Sequence, residues 1–104
     1  MVNAMRGEVS LMIGGKQATL CLTLGALAEI ESALGGEGLS GFASAMKSLR
    51  ARDITAILGA LMRGGGSTVA DEELATMRVD ITSAVAAIAE SFEAAGLGAN
   101  HAPG

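Results

Sequence analysis

The sequence has no tryptophan and no tyrosine, and Phe42 and Phe92 are its only aromatic residues. A surface that stacks single-stranded bases on aromatic platforms is thereby excluded, and a core has to be thin and close-packed from aliphatic side chains. Cations are scarce as well: seven Lys and Arg stand against eleven Asp and Glu, leaving a net charge of −4. That balance argues against nucleic acid as a partner, because holding phosphate backbones takes clustered positive charge. Cys21 is the single cysteine, so neither an internal disulfide nor a thiolate metal cluster can form, as fits a reducing compartment. No run approaches the ~18 uninterrupted apolar residues of a membrane span, and Met1 to Gly7 do not resemble a signal peptide. The expectation is a cytosolic domain with no membrane contact.

What the chain has is small apolar residues and glycine. Half of its 104 residues are hydrophobic, Ala and Leu above all, and the length suits one domain spanning 1–104. Glu8 to Thr23 read as two strands around Gly14-Gly15, a pair that supplies the positive φ angles of a two-residue turn. If Ile13 faces Lys16, then Val9, Leu11, Ile13, Ala18, Leu20 and Leu22 share one face, and Ser10, Met12, Gln17, Thr19 and Cys21 the other. Such a hairpin is marginal alone and needs covering by helices.

Four helices are expected after it. Thr23 is a candidate N-cap for a helix carrying Leu24, Leu27, Ile30 and Leu34, stopped by Gly35-Gly36. A short helix over Ser40 to Leu49 gathers Phe42, Met46 and Leu49. A third begins near Asp53 and aligns Ile54, Ile57, Leu58, Leu61 and Met62 into a core-facing stripe that ends at Gly64-Gly65-Gly66. The longest opens at Asp71-Glu72-Glu73, acidic residues placed favourably against the helix dipole, and runs Leu74, Met77, Ile81, Val85, Ile88 and Phe92 along one side over five turns. The pattern predicts an α+β fold, mainly α: an N-terminal antiparallel β-hairpin (8–23), a helical part with four α-helices (24–95) and a flexible tail (96–104).

No constellation of catalytic groups emerges, and the chain reads as a non-enzyme with no catalytic, cofactor-binding or metal-binding residues. His101, the lone histidine, lies in the expected tail, where a general base would lack positioning. Cys21 has no sequence neighbour to lower its pKa. Glu29 and Glu31, two apart on a helix, occupy different faces and read as solvated charges or local ion-pair partners. The glycine clusters lack the Lys-Ser or Lys-Thr of a phosphate loop. Asp71, Glu72, Glu73 and Asp80 are spread around their helix, not gathered at calcium-loop spacing.

Interaction surface is what remains. Ala75, Val79 and Ala86 are expected to form a second, shallow apolar strip opposite the Leu74 to Phe92 stripe. Met5, Met12, Met46, Met62 and Met77 add pliable apolar surface.

In order and content, residues 7–34, GEVSLMIGGKQATLCLTLGALAEIESAL, resemble the opening of the gene transfer agent and prophage family of tail proteins: a Gly-Glu-initiated hairpin joined directly to a Leu-Gly-Ala-Leu-Ala-Glu-Ile-Glu helix. The Asp71-Glu72-Glu73-Leu74 start of the last helix resembles the same family. The resemblance implies a role in phage-like tail morphogenesis. Such proteins are grouped as tail assembly chaperones and are also described as tail tube proteins. In the chaperone reading, copies coat the tape measure protein and give way as tube subunits polymerise, first in the bacterial cytoplasm. Val79→Asp is then expected to abolish tape measure binding and spare the fold. The alternatives are a structural tail tube component located in the particle tail, and a small acidic regulatory binding protein. Tape measure and tube subunits are the expected partners, with self-association as a further expectation.

Overall fold

A computed structural model describes residues 7–35 and 48–96. The first element is the hairpin, strand β1 (Glu8–Ile13) paired antiparallel with β2 (Lys16–Cys21). Its turn is made by Gly14 and Gly15, at φ +61° and +83°, the left-handed backbone that a tight two-residue hairpin requires and that side chains resist. The register is the expected one, with Ile13 opposite Lys16, Leu11 opposite Ala18 and Val9 opposite Leu20. Val9, Leu11, Ile13 and Leu20 are buried, whereas Met12 on the opposite face is 59 % exposed. β2 ends at Cys21, before the expected limit at Thr23, because Thr23 already caps the first helix.

That helix, α1 (Leu24–Ala33), is held at its start by the Thr23 hydroxyl, which accepts a hydrogen bond from the Ala26 backbone N–H at 3.0 Å. Thr23→Ala should therefore cost about 1 kcal/mol of stability, the usual value of an N-cap, read by thermal unfolding. The expected stripe is corrected at its first residue. Leu24 is 86 % exposed, and Ala26 takes the buried place beside Ile30. At about 100° per residue, steps of three drift around the helix, so Leu24 stands about 120° from Ile30.

The expected helix over Ser40 to Leu49, with Phe42 and Met46, lies outside the described residues except at its end. Ser48 and Leu49 are described and are not helical, and Leu49 packs against the core. Helix α2 (Ala51–Gly64) starts two residues before Asp53, because Asp53 works from inside the first turn: its carboxylate accepts the Arg50 N–H at 2.9 Å. Ile57, Leu58, Leu61 and Met62 are buried as expected, and Ile54 packs at the margin. α2 packs on α1, β2 and the last helix, so the core forms around it.

Its C-terminal end explains two of its three glycines. A side-chain carbon on Gly64 would overlap the Cys21 carbonyl oxygen, and one on Gly65 the Thr19 carbonyl oxygen. Only bare backbone lets the helix end lie along the β2 edge.

The single long helix expected from Asp71 is corrected to two. α3 (Asp71–Leu74) is one turn, and α4 (Ile81–Ala94) follows after a non-helical connection. Tertiary bonding replaces the helical ladder there: the Arg78 carbonyl accepts the Gly14 N–H at 2.7 Å. Asp80 then starts a new helix, accepting from the Ser83 N–H at 2.9 Å and the Ser83 hydroxyl at 2.7 Å. Both bonds hold the Asp80 carboxyl below its ordinary value. A carboxylate with a lowered folded value stabilises above the ordinary carboxylate range and loses that contribution as pH falls through the lowered value. Helical circular dichroism of α4 should accordingly weaken on acidification through that window, and less so in Asp80→Asn.

The buried side of α4 is Ala84, Ala87, Ile88, Ser91 and Phe92. Ser91 is satisfied by donating to the Ala87 carbonyl at 2.8 Å. Ile81 and Val85, expected in the core, are 57 % and 44 % exposed. Of the expected tail, only Gly96 is described, at φ +87° just beyond α4.

Candidate functional site

Two features stand out from the packing, an ionic cluster and an apolar groove. In the cluster, the Arg63 guanidinium in the last turn of α2 donates to Glu29 of α1 at 2.6 and 3.1 Å, to Asp71 of α3 at 3.2 Å and to the Val69 carbonyl at 2.8 Å. The hydrogen bond to Glu29 is the largest influence holding the Arg63 pKa above its ordinary value, with Asp71 adding to it. One cation thus ties three helices and the connection before α3. The groups remain partly open to water, so Arg63→Gln should cost only about 1 kcal/mol, shrinking in high salt, as read from unfolding at two ionic strengths.

Sequence reasoning missed this cluster. It placed Glu29 as a solvated or locally paired charge and Asp71 as a dipole partner, whereas Glu29 meets a residue 34 positions away. The available signal was Arg63 itself, a cation in a last helical turn beside glycines.

The groove, about 670 Å³, is walled by α2 through Ile54 and Leu58, by Leu74 of α3, and by Met77 and Val79 of the connection, with Ile81 at its end. It exists because the chain breaks between α3 and α4. A continuous helix would have carried Ile81 around the same row as Leu74 into the core. Arg78 also lines the groove, and the exposed Arg50 and Arg52 flank Ala51 at its α2 end. Asp53 accepts the Arg50 N–H and pairs with its guanidinium at 3.7 Å, and Asp80 accepts from Ser83. The result is an apolar trough with Arg52 and Arg78 exposed beside it. A second groove, about 360 Å³, runs between Ser10 and Met12 of β1 and Ser83 and Glu90 of α4.

Of the expected strip, Ala75 and Val79 come together in the lining of the larger groove, whereas Ala86 lies apart, on α4 beside the second groove. Val79 is half-buried in the groove wall, so Val79→Asp would set a carboxylate against apolar side chains and is expected to cost some stability. Met62 is buried, Met77 half-buried and Met12 exposed; Met5, Met46 and His101 lie outside the described residues. Cys21 is half-buried at the end of β2. Glu31 stays apart from the Glu29 cluster. Among the described residues no group of three or more His, Cys, Asp or Glu is placed to hold a metal ion, and none of their helices is long and apolar enough to cross a membrane.

Among the described residues no acid, base and nucleophile come together in one place. No curated protein and no solved structure matches the chain. Residues 6–98 match the family described as "Phage tail tube protein, GTA-gp10". That match runs from before the hairpin to beyond α4, and the chain belongs to this family of phage-like and gene transfer agent tail proteins.

Proposed function

We propose that the chain is a non-enzymatic structural subunit of the tail tube of a phage-like particle. The family match over residues 6–98 carries this reading, and the open apolar groove beside α2 supports it, since a subunit of a polymer needs surface for its neighbours. In that role residues 1–104 act as one domain without cofactor or metal, meet other tail proteins in the bacterial cytoplasm during assembly, and remain in the finished tail.

One observation favours a second reading, a tail assembly chaperone that coats the tape measure protein and leaves. The described sheet has two six-residue strands, little from which to build a ring. Gold labelling of an epitope-tagged chain in electron micrographs separates the two. Label along the finished tail supports the tube subunit; label confined to unfinished assemblies in lysates supports the chaperone and overturns the tube reading.

A further inference from the structure

We propose that the groove receives helix α4 of a second copy of this chain, in a head-to-tail contact; this rests on the tail tube reading and names the contact by which subunits join. The outer side of α4 has the matching form. Val85, Ala89 and Glu93 follow one another at i, i+4 and i+8, and Ala86 and Glu90 make the adjacent row. All five are exposed, Val85 at 44 %. Each row begins with an apolar side chain and ends in a carboxylate, and the alanines let a neighbouring backbone come near.

The groove presents the complement. Ala51, Ile54 and Leu58 form a row along α2, between which a ridge of the incoming helix can seat. Among the described cations, Lys16 sits at the hairpin turn and Arg63 is committed to Glu29 and Asp71. Arg50 pairs with Asp53 at 3.7 Å, which leaves the exposed Arg52 and Arg78 as the cations beside the groove that would meet Glu90 and Glu93. Charge complementarity thus selects an acid-flanked apolar helix, and the chain carries one. Ile81 at the end of the groove stands one turn before Val85 on the same row of α4, so groove and ridge adjoin. The proposed contact still joins different residues on the two copies, is therefore heterologous, and repeating it generates a ring or a filament, as a tube demands.

The test places a photoreactive benzoylphenylalanine at position 85 of the full chain and maps the crosslinked peptides. The expected product is an intermolecular link from position 85 to residues 51–58 or 74–79. Links to α4 or β1 of the other copy, or a chain that stays monomeric by sedimentation velocity at every concentration reached, overturn the proposal. A charge exchange provides the second measurement. Arg78→Glu and Glu93→Arg should each weaken self-association about tenfold with unchanged circular dichroism, and mixing the two variants should restore it. No recovery on mixing contradicts the contact. Gold label along the tail without these links would refute the contact and leave the tube reading standing; the links without tail label would do the reverse.

Discussion

Leu61→Ala is expected to lower the unfolding free energy by about 2–5 kcal/mol, whereas Leu24→Ala should change it by no more than about 0.5 kcal/mol. Both are leucines at helical positions with apolar neighbours in sequence. Leu61 is fully enclosed in α2, the helix that touches α1, β2 and α4, so removing its side chain leaves a cavity with several walls. A thin core of aliphatic residues, with Phe92 as the one aromatic among its described members, has little bulk to move into that space. Leu24 is 86 % exposed, and truncating it changes mainly its contact with water. Urea unfolding of both variants, followed by circular dichroism, checks the pair. Equal losses would place Leu24 in the core and contradict the described start of α1.

Gly64→Ala is the second large effect, expected at about 1–3 kcal/mol of destabilisation from overpacking. The added methyl would overlap the backbone carbonyl oxygen of Cys21, and a backbone group in a paired strand cannot rotate away as a side-chain tip can. To admit the methyl, the end of α2 has to lift from the edge of β2. Gly66→Ala provides a contrast, since its cost comes from the backbone alone: its φ of +102° is strained for a side chain, yet nothing stands within 4 Å of the added carbon. Loss of hydrogen-exchange protection along β2 in Gly64→Ala, and not in Gly66→Ala, would identify the lifted contact. Protection unchanged in both would mean that α2 does not bear on the strand.

The hairpin was legible because two signals of different origin agreed. Gly14-Gly15 set the turn, and the alternation of Val9, Leu11 and Ile13 against Ala18 and Leu20 allowed one register that buries a face. The cap at Thr23 and the α2 stripe were legible for the same reason, chemistry and period coinciding. The single last helix was misread because Leu74, Met77, Ile81, Val85, Ile88 and Phe92 keep a helical period across a break that contains neither glycine nor proline. At the end of α3 the Thr76 N–H and hydroxyl both turn to the Glu73 carbonyl and the Met77 N–H to that of Leu74. The connection is then held by a group distant in sequence, the Gly14 N–H bonding to the Arg78 carbonyl. One local sign was present: Asp80 followed three residues later by Ser83 is an N-cap, and it marks where α4 starts.

The site was less legible than the fold for a related reason. Its groove is a product of that break, so reading one continuous helix removed it, and its lining comes from α2, α3, the connection and the first residue of α4. The Arg63 cluster joins residues from three helices, and no spacing within any one of them encodes it. Family membership, by contrast, was readable from the hairpin joined to α1, a local feature that the match over residues 6–98 includes.

The central claim is that this chain is built into the tail and stays there. Quantitative peptide mass spectrometry of gradient-purified particles tests it most directly. The account predicts the chain in finished particles at a fixed, multi-copy ratio to the other tail proteins; its presence in assembly lysates together with its absence from finished particles would contradict the claim.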